Sequence, residues 1–168
     1  MDIFKEQIVP KKPTSKDTIY RALLIVGVVA VSVITFSIIP AFAFILTAAA
    51  AIGAFFLMGL LKVEYEYVFT NGELDIDIIY NRSRRKRLMT VNVKSFELMA
   101  HVEDKNHIGG FNSAQETRDY SSGAVGENTY VFLVSHNGKR LKVIIEPNEK
   151  MLAAISASMS RSKLHIRR

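Results

Sequence analysis

The sequence predicts an α+β protein in which a two-helix transmembrane hairpin precedes an antiparallel β-barrel or sandwich of about seven strands, closed by a C-terminal helix. Three observations carry this reading. No Asp, Glu, Lys, Arg or His occurs in the 40 residues from Ala22 to Leu61. From Val63 onward apolar and polar residues alternate, and two Asn-Gly pairs, Asn71-Gly72 and Asn137-Gly138, each separate two alternating runs. After Ile145, apolar residues recur at helical spacing. At 168 residues the chain has room for this membrane element and one domain of about 100 residues, which excludes a large multidomain enzyme. Cysteine is absent, so disulfides, thiolate catalysis and cysteine-based zinc sites are excluded.

The uncharged run is twice what one helix needs, since roughly 20 residues cross a hydrocarbon core of about 30 Å. Pro40 lies near its middle, which places the spans at 22–39 and 41–61 with a very short reversal between them. Ala41-Phe42-Ala43 resembles a signal-peptidase site, but the apolar run continues well beyond it and the stretch before it exceeds a signal h-region of about 7 to 15 residues. Lys5, Lys11, Lys12, Lys16 and Arg21 precede the first span, Lys62 and the run Arg82 to Arg87 follow the second, and the turn has no basic residue. By the positive-inside rule both termini are expected in the cytoplasm of a multi-pass protein of the cell membrane, with residues 1–21 as a cytoplasmic segment. Ala49 with Gly53, and Ala50 with Ala54, give the second span faces on which helices approach closely, either each other or a second membrane protein. The hairpin holds no ionisable group, so a proton relay, ion site or voltage sensor cannot be built from it alone.

The β-rich domain is expected over 62–160. Val63, Tyr65, Tyr67 and Phe69 alternate with polar residues up to Asn71-Gly72, and Leu74, Ile76, Ile78 and Tyr80 alternate after it. Asn-Gly favours a two-residue type I′ turn, and that turn pairs Phe69 with Leu74 and Tyr67 with Ile76, leaving one apolar and one acidic face. The second turn likewise sets Tyr130, Phe132 and Val134 against Leu141, Val143 and Ile145. Arg85 to Val91 and Val93 to Ala100 read as two further strands, and a weaker one lies near Thr117 to Ser122. Val102 to Asn128, which contains that weaker strand, is long, polar and rich in Gly and Ser, and reads as a solvated loop that is either functional or disordered, with disorder favoured. Pro147 and Asn148 start the terminal helix, with Met151, Leu152, Ile155 and Met159 as its apolar stripe. Residues 161–168 form a basic tail containing Arg161, Lys163, Arg167 and Arg168.

Strands closed by a C-terminal helix resemble the pleckstrin-homology (PH) superfold, and Tyr67 to Ile76 looks like the opening of bacterial PH-like domains that follow transmembrane hairpins. The whole layout, with Glu64-Tyr65-Glu66-Tyr67 through Asp77 and the basic stretch Arg84 to Arg87, resembles a family of small bacterial two-span membrane proteins of unknown function. The resemblance implies architecture. It carries over no functional residues.

Arg82, Arg84, Arg85 and Lys86, with Arg87, form the most prominent candidate site. Basic clusters near a bilayer attract anionic lipid headgroups, at about 1 kcal/mol per residue. The resemblance points the same way, because PH-like domains elsewhere use an early basic loop for phosphoinositides. Yet Glu66 would face Asp77 across the first hairpin, a like-charge pair that needs compensation. If Asn81 to Ser83 form a three-residue loop, Arg87 lies opposite Asp77 and Leu88 opposite Ile76. Sheet compensation, anionic-membrane contact and a specific ligand therefore all remain open. Nucleic acid is not expected as a partner: Lys62 to Arg168 holds 17 Lys plus Arg against 13 Asp plus Glu, interleaved on the same strands. His101, Glu103, Asp104 and His107 supply metal-ligand atom types but match no ligand spacing. No nucleophile elbow or phosphate-binding Gly loop is present. The expectation is a non-enzymatic, cofactor-free, membrane-anchored binding or scaffold module whose partners are the bilayer, a protein or anionic headgroups. The alternative is an accessory subunit of a transport or envelope-assembly complex that uses the hairpin as its interaction surface. Oligomeric state is left open.

Overall fold

The structure is a computed structural model and describes residues 3–160 and 163–165. The chain forms two compact units: a helical hairpin together with Tyr80–Arg84, and a β-rich unit that includes the N-terminal residues as well as those after the hairpin.

The hairpin consists of α1 (Ser15–Ile38) and α2 (Pro40–Leu60), joined by Ile39 alone. Pro40 occupies the start of α2, where its missing N–H has no helical partner to lose. With a rise of about 1.5 Å per residue, both helices exceed the thickness of a hydrocarbon core of about 30 Å, and both are long and apolar enough to cross a membrane. α1 starts seven residues before the uncharged run because Thr14 and Asp17 build an N-terminal cap. The Asp17 carboxylate accepts hydrogen bonds from the Thr14 N–H and hydroxyl, each at 2.8 Å. The least exposed positions form one stripe per helix: Arg21, Leu24, Val28, Ser32 and Thr35 on α1, and Ala43, Thr47, Ala50, Ala54 and Met58 on α2. The Ala50 and Ala54 face is therefore spent on packing inside the hairpin. Ala49 and Gly53 remain exposed, and a Cβ at Gly53 would touch nothing within 4 Å. Thr35 and Ser37 return their hydroxyls to the carbonyls of Val31 and Val33, at 2.8 Å each, satisfying them within the helix.

The β unit has two sheets. The first orders β1 (Phe4–Pro10), β2 (Val63–Thr70), β3 (Glu73–Tyr80) and β4 (Arg84–Asn92) as neighbours in that sequence. The second contains β5 (Phe96–His101), β6 (Glu116–Asp119), β7 (Tyr130–His136), β8 (Lys139–Ile145) and β9 (Leu164–His165), in the order β6-β8-β7-β5-β9. Neither order closes into a barrel, so the barrel half of the sequence expectation gives way to two open sheets. α3 (Glu149–Ser158) follows, capped by the Asn148 side chain, which accepts from the Met151 N–H at 2.8 Å.

Both Asn-Gly turns have the two positive φ values that type I′ demands: 50° and 94° at Asn71 and Gly72, 50° and 75° at Asn137 and Gly138. The second hairpin has the expected register, with Tyr130, Phe132 and Val134 opposite Ile145, Val143 and Leu141, and all six are buried. In the first, Tyr65, Tyr67, Phe69, Leu74, Ile76 and Ile78 are buried. Phe96 stacks on Phe132 with ring centres 4.0 Å apart, and Met151, Ala154 and Ile155 bury the inner face of α3. Each large apolar side chain so buried contributes about 1.5–3 kcal/mol. The buried Tyr67 hydroxyl ties the sheets together: it donates to the Tyr120 carbonyl and accepts from the Glu146 N–H at 3.2 Å. Burial pushes the Tyr67 phenol well above its ordinary range.

Four features depart from the sequence reading. β1 arises within the expected N-terminal segment and pairs antiparallel with β2, from Phe4 opposite Thr70 to Pro10 opposite Glu64. The segment 102–128 is ordered rather than a solvated loop. Its 3₁₀ turn Ile108–Ser113 lays Phe111 on Ala100, Val131 and Leu133, covering the outer face of the second sheet, and Tyr120, Ser121 and Ser122 are buried. The sheet is not wholly antiparallel, since β6 runs parallel to β8 and β9 parallel to β5. Finally, Leu164 and His165 of the expected tail belong to β9, and His165 stacks on His107 at 3.5 Å. Arg161, Arg167 and Arg168 lie outside the described residues; Lys163 donates its N–H to the Ser160 carbonyl at 3.0 Å.

Candidate functional site

The acidic face of the first sheet is built before any ligand is considered. β2 carries Glu66 and β3 carries Asp75 and Asp77 on this face, and Glu66 and Asp77 are only 1% and 2% exposed. Two carboxylates so withdrawn from water require cations or protons. Arg85 places Nη2 2.6 Å from Glu66 Oε1. Arg87 meets Asp77, as the three-residue loop requires, through Nε and Oδ1, and reaches Asp75 Oδ2 with Nη1 at 2.8 Å. Thr90 completes the set, its hydroxyl donating to Asp75 Oδ1 at 2.6 Å. Even so, Glu66 Oε2 is buried without a hydrogen-bond partner. Burial raises the Glu66 carboxyl above its ordinary range against the pull of Arg85, with neighbouring Glu6 and Asp77 raising it further.

This pairing shifts the alternation in β4. Arg85, Arg87 and Thr90 all reach the same acidic face, while Met89 and Val91 are buried and Leu88 is half-buried. Met89 rather than Leu88 is therefore the buried residue at this point of the strand.

The basic run is thus divided. Arg85, expected among the headgroup-contacting residues, has its guanidinium on Glu66. Arg82, Arg84 and Lys86 are exposed, and among the described residues no ion pair engages Arg84 or Lys86. Arg82 follows Asn81 in a left-handed backbone, with φ values of 55° and 48°, a conformation costing a non-glycine residue about 1–2 kcal/mol. The loop is held beside the end of α2 by the Asn81 N–H, which donates to the Lys62 carbonyl at 2.8 Å, and is closed on itself by the Ser83 N–H, which donates to the Tyr80 carbonyl at 3.1 Å. Gly59 permits this approach, since a Cβ there would come within 3.1 Å of Asn81 Nδ2.

The histidine-rich segment is organised differently from a ligand set. His101 is buried, its Nδ1 accepting the Glu103 N–H at 3.2 Å and its Nε2 facing the Gly126 carbonyl at 3.2 Å. His107 Nδ1 lies 2.7 Å from Asp104 Oδ2, and this hydrogen bond holds the Asp104 carboxyl below its ordinary range. Among the described residues no three His, Asp or Glu side chains converge as a metal-holding group.

Sequence reasoning missed Gln7, which joins β1 to the start of α3. Its Nε2 donates to the Glu146 carbonyl at 2.8 Å and its Oε1 accepts the Asn148 N–H at 2.7 Å. A lone glutamine has no sequence signature for such a role.

Comparison with curated proteins and with solved structures returned no match. Residues 1–164, from the N-terminal strand through the hairpin and both sheets, match the family described as "Bacterial PH-like domain (DUF6106)", and the chain belongs to that family.

Proposed function

We propose that this protein is a non-catalytic, membrane-anchored binding module: α1 and α2 cross the cell membrane, and the β unit works as a PH-like sandwich at its cytoplasmic surface. The β1–β2 ladder carries the reading. Pro10, before the hairpin, is paired with Glu64, after it, so both flanks of the hairpin lie on one side of any bilayer it enters. This pairing supports an even number of crossings, independently of charge. The basic residues on both flanks, and their absence from the turn at Ile39, favour the cytoplasm for that side. The loop that carries Arg82 and leads into Arg84 is held beside the flank-side end of α2, which supports contact with anionic headgroups as the function of the exposed half of the basic run.

Topology is testable because the chain lacks cysteine. Single cysteines at Lys5, Ile39 and Ser113, probed with a membrane-impermeant maleimide on intact cells, should label only at Ile39; Lys5 and Ser113 should label after permeabilisation. Labelling of Ser113→Cys on intact cells contradicts the reading.

A second reading rests on the exposed Ala49 and Gly53 face of α2, which no residue of the hairpin covers. There the chain is an accessory subunit of a transport or envelope-assembly complex, gripping a partner through the hairpin. Gly53→Leu would abolish co-purification of that partner and leave headgroup contact unchanged.

A further inference from the structure

The hairpin unit contains a cleft that the basic run does not explain. It encloses about 320 Å³, within the size range of about 300–1,000 Å³ typical of small-molecule sites. Arg21 and Lys62 supply two cations, Asn81 an amide, and Phe55, Phe56 and Met58 an apolar wall. No carboxylate lines it, and among the described residues neither cation is ion-paired. Arg21 is also the one basic residue on the stripe of α1 that faces α2. Ionisable groups at such positions are rare unless they have a task.

The depths of the two cations define the occupant. Arg21 lies 17 residues from the end of α1 at Ile38, or about 26 Å along the axis, just inside a hydrocarbon core of about 30 Å measured from the turn. Lys62 lies 22 residues after Pro40, or about 33 Å along, just outside it. The pair brackets the boundary where lipid phosphates sit. Guanidinium forks match phosphate oxygens in pairs, and Phe55 and Phe56, both largely exposed, lie where an acyl chain would run.

We propose that this cleft holds one anionic phospholipid, its phosphate between Arg21 and Lys62 and an acyl chain along Phe55 and Phe56. Asn81, held against Gly59, closes the headgroup side, so a bound lipid braces the basic loop. The proposal rests on the bilayer-crossing reading above and adds a stoichiometric site that does not use Arg82, Arg84 or Lys86.

The chain has no tryptophan, so Phe56→Trp in the full-length protein gives a single reporter in the cleft. It is reconstituted in phosphatidylcholine nanodiscs carrying a minor fraction of brominated phosphatidylglycerol or, in parallel, brominated phosphatidylcholine. The brominated phosphatidylglycerol should quench about five-fold more per mole, the factor that one basic residue near the surface supplies. Adding R21Q/K62Q, or K62Q alone should the double variant not insert, should remove or weaken that preference, and the charge-matched K94Q/K105Q should keep it. Free glycerol phosphate should not compete. Equal quenching by the two lipids, a preference that survives both variants, or competition by glycerol phosphate would overturn the site. Absence of quenching by either lipid overturns the bilayer reading beneath it, which separates the two failures.

Discussion

Within four consecutive residues of one strand, Arg85 and Arg87 differ from Arg84 and Lys86 in what surrounds them, although composition treats the four alike. Arg85 and Arg87 lie over Glu66, Asp75 and Asp77 and neutralise carboxylates that the sheet has buried. Arg84 and Lys86 are exposed, and Arg84, the first residue of β4, follows directly on the loop held beside the end of α2. A charge cluster is therefore a poor unit of function. Strand alternation divides it first, and the half turned to the acidic face is ion-paired with buried carboxylates.

The comparison can be broken by stability measurements on a soluble variant in which a short Gly/Ser linker joins Lys12 directly to Val63. The pairing of Pro10 with Glu64 makes that closure local. The largest effect is expected from omitting β1 altogether. A chain starting at Val63 loses the whole β1 ladder, the Gln7 bonds to Glu146 and Asn148, and the Lys12 N–H bond to the Ser122 carbonyl. It should unfold without a cooperative transition, whereas the linked variant should melt sharply. Next comes Arg87→Ala, which strands Asp77 and Asp75; urea unfolding should show a loss of about 2–3 kcal/mol, as for charge-assisted bonds to buried groups.

Arg85→Gln should cost about 1–2 kcal/mol at neutral pH, with a definite pH dependence. The Glu66 carboxyl titrates above its ordinary value of 4.5 because burial outweighs Arg85. A raised folded-state value means that Glu66 favours the fold most when protonated, and that this contribution is lost as pH rises through the folded value. Removing Arg85 raises that value further, so the deficit should be largest near neutrality and shrink as pH falls toward 4.5. Glu66→Gln in the Arg85→Gln background should recover most of the loss at neutral pH. The smallest effect is expected for R84Q/K86Q, within about 0.5 kcal/mol of the parent, as for exposed surface changes. A larger loss would place these residues in the structural half.

The parts of this fold that were legible in the sequence are those in which local chemistry and pattern coincide. Asn71-Gly72 and Asn137-Gly138 dictate turn type, and turn type dictates register; Asn148 caps α3, and Pro40 divides the hairpin. β1 was not legible because, of Lys5, Gln7 and Val9 on the face its register turns toward the core, Val9 alone is buried, Gln7 is half-buried and Lys5 is exposed. Two of these three are polar, as suits an edge strand whose worth lies in Gln7 and in ladder bonds. The start of α1 is also encoded locally, since Thr14-Ser15-Lys16-Asp17 is a capping signature. Segment 102–128 reads as polar because single residues, Phe111 and Tyr120, do its packing against distant strands. Of the candidate site, the Arg87–Asp77 pairing followed from loop length. The burial of Met89 in place of Leu88, and the docking of Asn81 over Gly59, depend on tertiary contacts that no local pattern encodes.

The division of the basic run is tested most directly by binding of the linked soluble variant to phosphatidylglycerol vesicles, comparing R84Q/K86Q with the parent at matched folded fraction. Two lost cations near the surface amount to about 2 kcal/mol, so partitioning should fall about 30-fold with the melting transition unchanged. Binding equal to the parent would contradict the account, because it would leave the exposed half of the run with no part in meeting the membrane.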